Sequence, residues 1–102
     1  MAHGGHLSMK TRPGAYQRIA DRYHQFAGDV MAHHPNLHDV LIVGDPASNT
    51  IQGFGTWENA AQAAALEDTK DFASFLASVE PDLAEPITRN DLKVLYRLNP
   101  RS

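Results

Sequence analysis

The sequence predicts an α+β fold, a four-stranded antiparallel sheet with helices on one face, and three observations predict it. Apolar residues alternate with period two in four separate stretches. The period changes to that of a helix between the first and second stretches, and again between the third and fourth. Only a short polar loop separates the second stretch from the third. The resulting order, strand-helix-strand-strand-helix-strand, is the split βαβ or ferredoxin-like arrangement. Its helices gather on one side of the sheet.

The first stretch, residues 6–11, places Leu7 and Met9 on one face; Gly4 and Gly5 weaken its start. Pro13-Gly14 then turns the chain into the clearest element, a helix over residues 15–33. Tyr16, Ile19, Ala20, Tyr23, Phe26, Ala27, Val30 and Met31 recur on its buried face, and Arg18, Asp21, Arg22, Gln25 and Asp29 on the other. Pro35 cannot continue it.

Residues 37–43 read as a strand with Val40 and Ile42 on one face and Leu41 and Val43 on the other. Residues 44–49 form the hairpin loop, and 50–57 return. Ile51, Gly53, Gly55 and Trp57 share one face of that return strand; Thr50, Gln52, Phe54 and Thr56 share the other. The alanine-rich residues 58–66 have high helix propensity. Asp68 or Thr69 caps a further helical segment through Val79. Pro81 to Pro86 is a turn region, and the alternation of Leu92, Val94, Tyr96 and Leu98 predicts a final strand over 92–98.

The chain has 102 residues, 42% of them hydrophobic and none of them cysteine. That length supports one domain, residues 1–102, with 1–5 as a flexible lead-in and 99–102 as a tail. Without cysteine there is no disulfide, zinc ribbon, iron–sulfur cluster or thiol nucleophile. No apolar run reaches the roughly 18 residues needed to span a membrane, and the first residues lack the apolar core of a signal peptide. A soluble, cytoplasmic protein is expected.

The net charge is −3, unevenly spread. Residues 1–22 are basic; residues 23–69 hold no Lys or Arg and all their formal charge is negative. No basic stripe of the kind that binds nucleic acid is present. The sheet also has two apolar faces and helices for only one of them, which predicts a homodimer packed sheet to sheet.

Order and wording together resemble the antibiotic biosynthesis monooxygenase family of the dimeric α+β barrel superfamily. Pro13-Gly14 follows the first strand, and His34-Pro35-Asn36-Leu37 stands where that family turns after its helix. Asp45-Pro46 lies in the hairpin, and Thr56-Trp57-Glu58-Asn59 matches the Trp-Glu motif ending the third strand. The likeness spans about residues 6–98 and departs at Asn36, where the family usually has Gly. It implies a ferredoxin-like protomer pairing into a closed barrel. Many members oxygenate anthrone or quinol intermediates by letting the deprotonated substrate react with dioxygen, without metal or flavin. On that pattern no cofactor is expected here, and the ligand is a small hydrophobic or aromatic molecule held between helix and sheet. Others degrade haem, with an Asn on the first strand and a His on the second helical segment. Here the strand position is about Ser8, and no His follows His38. The Asn that anthrone-oxidising members place four residues before the Trp is Gly53.

These readings nominate site residues. The resemblance places Trp57 at the cavity, and Gly53 and Gly55 beside it leave room for a flat ligand. The competing reading is a core Trp whose close packing the glycines permit. His24, flanked by Ala20 and Ala27 on the helix, is the candidate base. Tyr16 and Tyr23 are candidate hydrogen-bond donors to a substrate carbonyl, or simply core residues. His33, His34 and His38 near the helix end suit the helix dipole and do not have the convergence of a metal site. Glu58 caps or pairs at the start of the second helix. The function expected is a cofactor-independent monooxygenase-like activity on a phenolic or quinol-type substrate. Its rival is a non-catalytic small-ligand-binding or structural dimeric barrel.

Overall fold

The computed structural model describes residues 2–98 and 100. The chain runs β1 (His3–Lys10), α1 (Tyr16–Asp29), β2 (Leu37–Asp45), β3 (Thr50–Trp57), α2 (Ala60–Glu67), α3 (Lys70–Val79) and β4 (Thr88–Lys93). The four strands form one antiparallel sheet in the order β2-β3-β1-β4. This is the ferredoxin-like topology that the period changes predict.

Local chemistry explains the element ends. Gly14 takes a φ of 84° to turn the chain toward α1, a conformation that glycine adopts without strain. α1 ends at Asp29, short of the expected residue 33, and Met31–His33 tightens into a 3₁₀ turn before Pro35. Asn59 caps α2 by accepting from the Gln62 N–H at 3.1 Å, so the cap is not Glu58. Thr69 caps α3 by accepting from the Phe72 N–H at 3.1 Å, which selects Thr69 over Asp68.

β3 alternates between buried and half-buried residues along its whole length. Ile51, Gly53, Gly55 and Trp57 face the helices. Met9, Ile19, Tyr23, Phe26, Ile51, Trp57, Phe72, Phe75 and Val79 belong to one apolar core between helices and sheet. Phe26 of α1 stacks on Phe75 of α3 with ring centres 4.6 Å apart, joining the two helices.

Three strands differ from expectation in their bounds, β2 running on through Asp45 into the expected loop. β1 starts at His3, so the expected lead-in over residues 1–5 is strand from His3 onward. The last strand is Thr88–Lys93, not 92–98. Lys93 already lies opposite His3, where β1 begins, so residues 94–98 have no ladder partner on that edge. β4 is a polar edge strand, exposed throughout, and a polar edge carries no apolar alternation to read. Leu95, Tyr96 and Leu98 are exposed. The expected tail at 99–102 lies, apart from Pro100, outside the described residues.

The sheet face turned away from the helices carries Leu41, Val43, Phe54 and Leu92, with Leu41 60% exposed. His6 on the same face stacks on Phe54 at 4.7 Å. Its ring is held between Gln52 Oε1 at 2.9 Å and Asn90 Nδ2 at 3.0 Å.

Candidate functional site

Three glycines on the central strands make the floor of the space beneath the helices: Gly5 on β1, and Gly53 and Gly55 on β3. A side chain at any of the three would project toward α1 and α2. Instead two aromatic residues come down onto them. The Tyr23 hydroxyl occupies the volume that a Cβ on Gly53 would need. Trp57 Nε1 lies 3.2 Å from where a Cβ on Gly55 would stand and 3.7 Å from that of Gly5. The expected open slot above the glycines is therefore largely packed. A cavity of about 50 Å³ remains, room for a few waters. Phe26, Met31, Val40, Ala63, Leu66 and Phe72 wall it, and Glu67 and Arg89 form a charged rim.

The two aromatic residues reach the cavity with polar atoms unspent. Neither the Tyr23 hydroxyl nor Trp57 Nε1 has a hydrogen-bond partner among the described residues. Yet neither is fully enclosed; the fully enclosed side-chain polar atom without a partner is Thr11 Oγ1. Two donors that solvent can reach and that no described protein group has taken are available to an acceptor brought by a ligand. Burial pushes the Tyr23 phenol up to about 12, so at neutral pH it is a donor and not a base. His34 meets Trp57 edge to face at 4.9 Å and accepts the Asn36 N–H at Nδ1 (3.3 Å), bracing the far side of the indole.

The rim is a connected set. The Arg89 guanidinium donates through Nε to Glu67, at the end of α2. Its two terminal nitrogens donate to the Asp91 carboxylate at 3.0 and 2.9 Å. His3 Nε2 stands 3.1 Å from the same carboxylate. The Glu67 bond first, and Asp91 next, hold the guanidinium charged well above its ordinary range. Arg89 in turn holds Asp91 below the usual carboxylate range.

Of the residues expected at a site, Trp57, Tyr23, Gly53 and Gly55 come together at this cavity. Two do not. His24 is exposed, because α1 turns Tyr23 inward and leaves the next residue on its outer face; it does not line the cavity. Tyr16 lies two turns before Tyr23 and rests its hydroxyl over Gly44 of β2, outside the cavity lining. His38 pairs with Glu58 at 2.9 Å, and His33 is exposed. Among the described residues no group of three or more His, Asp or Glu stands together as a metal site would require. Gly5, Glu67 and Arg89 were not foreseen. Placing β4 at residues 88–93 would have revealed Arg89, since it shares a strand face with Asp91 and Lys93.

No family model matches the chain, and no curated protein matches it. Solved structures do. An antibiotic biosynthesis monooxygenase superimposes with a TM-score of 0.80 at 10% identity, over 92% of this chain and 99% of its own. A mutant of SnoaB, a cofactor-independent oxygenase from Streptomyces nogalater, gives 0.80 at 8% identity, over 95% and 96%. NE2512, a protein of unknown function from Nitrosomonas europaea, gives 0.83 at 16% identity, over 97% and 94%. The fold that the local wording implies is the fold found. Likeness at such low identity extends to the fold, and function is argued from the site.

Proposed function

We propose that this chain binds a small planar aromatic or quinol-type molecule between helices and sheet and promotes its reaction with dioxygen without a cofactor. One observation carries the reading: the unpartnered Tyr23 hydroxyl and Trp57 Nε1 stand over a glycine floor beside an apolar cavity. A carbonyl or phenolate oxygen entering there is offered a phenol hydroxyl and an indole N–H, and donors aimed at a developing anion stabilise it. The likeness to SnoaB, described as a cofactor-independent oxygenase, supports the reaction class. His24 has no part in it. The substrate therefore supplies its own acidity, and the protein holds the anion rather than making it.

A planar ligand needs more than about 50 Å³, so the wall must move. The wall with the least holding it is α2, a single eight-residue helix bearing Ala63, Leu66 and Glu67. The test is oxygen uptake with anthrone as probe, comparing the protein with Tyr23→Phe and Trp57→Phe. Protein-dependent uptake that falls at least about tenfold in each variant supports the reading. Tight binding of the probe with no uptake leaves a binding module, and no binding at all removes the site.

The same proposal includes a homodimer formed through the open sheet face. Leu41, Val43, Phe54 and Leu92 offer the apolar surface. The His6 ring among them is paired on both nitrogens, to Gln52 Oε1 and Asn90 Nδ2, so covering this face does not strand the imidazole.

A further inference from the structure

We propose that Arg89 is the anchor for a carboxylate on the ligand, and that Glu67 occupies that carboxylate's place while the cavity is empty. The ligand class is then a planar aromatic acid. The inference rests on the cavity reading above and adds to it the group that the rim recognises.

The two partners of Arg89 are not equivalent. Asp91 lies on the same strand two residues along, takes both terminal nitrogens, and shares its Oδ1 with His3 Nε2. It is a fixed orienting group. Glu67 comes from a different element and takes only Nε. It is also badly placed for a carboxylate. Glu67 is the last residue of α2, where the helix dipole presents its negative end, and Asp68 follows directly. Apart from Arg89, its local electrostatics are unfavourable.

The charge count agrees. With Glu67 in place the rim holds two carboxylates against one guanidinium. If Glu67 leaves, Arg89 and Asp91 balance, and an incoming carboxylate restores the same count with the same Nε donor. The exchange is carboxylate for carboxylate. It also releases the end of α2 from β4, and α2 is the wall that must shift for a planar body to enter. Recognition of the acid and opening of the cavity are thereby one event. A neutral molecule of the same shape has nothing to offer Arg89 in place of Glu67, so it leaves the wall shut.

The test is calorimetric titration with two probes of one shape, 2-naphthoate and 2-naphthamide, while following the fluorescence of Trp57, the single tryptophan. The acid is expected to bind about tenfold tighter or more than the amide. Glu67→Gln, near-isosteric at a half-buried helix end, weakens the latch for both probes; it should tighten naphthoate several-fold and naphthamide by no more than that, so the acid stays ahead. Arg89→Gln should erase the preference between the probes. Equal affinity for both probes with Trp57 fluorescence perturbed overturns the anchor and leaves the cavity reading standing. Weaker naphthoate binding by Glu67→Gln overturns the anchor as well. If neither probe binds or changes Trp57, the cavity reading fails and the anchor falls with it.

Discussion

The Tyr23 hydroxyl sits where a side chain on Gly53 would have to be. Helix α1 thus reaches the sheet through a ring that only a glycine can receive. Gly53→Ala should cost about 2 kcal/mol by overpacking, read as a lower urea midpoint at unchanged slope. The same substitution beside Tyr23→Leu should cost well under half of that, because the ring that clashes is gone. Equal costs in the two backgrounds would show that the contact does not set the need for glycine.

Burial of the same phenol makes stability depend on alkaline pH. Its folded value is raised to about 12, above the ordinary 10. In the window between them the unfolded chain has released the proton and the folded chain has kept it. A raised value favours the folded state below pH 10, and that advantage is lost as pH climbs toward 12. The loss should be about 2–3 kcal/mol. Urea unfolding at pH 9 and pH 11.5 should show it for the wild type and not for Tyr23→Phe, once the difference between the two proteins is taken at each pH.

The fold was legible because its two periods differ and their order admits few topologies. Ile51, Gly53, Gly55 and Trp57 fall on one face by counting twos, and Tyr23 turns inward by counting three and four. What could not be read was the edge. β4 is Thr-Arg-Asn-Asp-Leu-Lys, with no apolar rhythm, so the rhythmic residues beyond it drew the strand forward by four positions. Arg89 and its link to Glu67 went with it. His24 failed differently: flanking alanines at three and four residues suggested the buried face. The helix is wide enough to bury Tyr23 and Phe26 and still leave His24 outside.

Thr11 should be improvable. It is 1% exposed, and its hydroxyl has no partner among the described residues. Its backbone is committed, since its N–H donates to the Asn49 carbonyl at 2.8 Å and it bridges to Leu83. Thr11→Val keeps the β-branched shape and removes the unsatisfied oxygen. Thermal unfolding should show a gain of about 1 kcal/mol. A loss of similar size would mean that the hydroxyl holds an internal water.

Leu41 and Leu92 stand on opposite edge strands of the open sheet face, 60% and 43% exposed. Phe54 lies between them on the same face, and exposed apolar residues grouped in this way suit a second copy of the chain. Sedimentation equilibrium should give twice the chain mass of 11.2 kDa for the wild type. Leu41→Asp should shift the species to the single mass while far-UV circular dichroism stays unchanged. The aspartate then lies beside Asp39, two residues earlier on the same face of β2, and both would have to be desolvated to remake the contact. The helix-side core takes no part in this face, so the monomer should keep its thermal unfolding cooperative. A wild type that sediments at the single mass at high micromolar concentration would refute the pairing. It would leave Leu41, Val43 and Leu92 as a surface for some other partner.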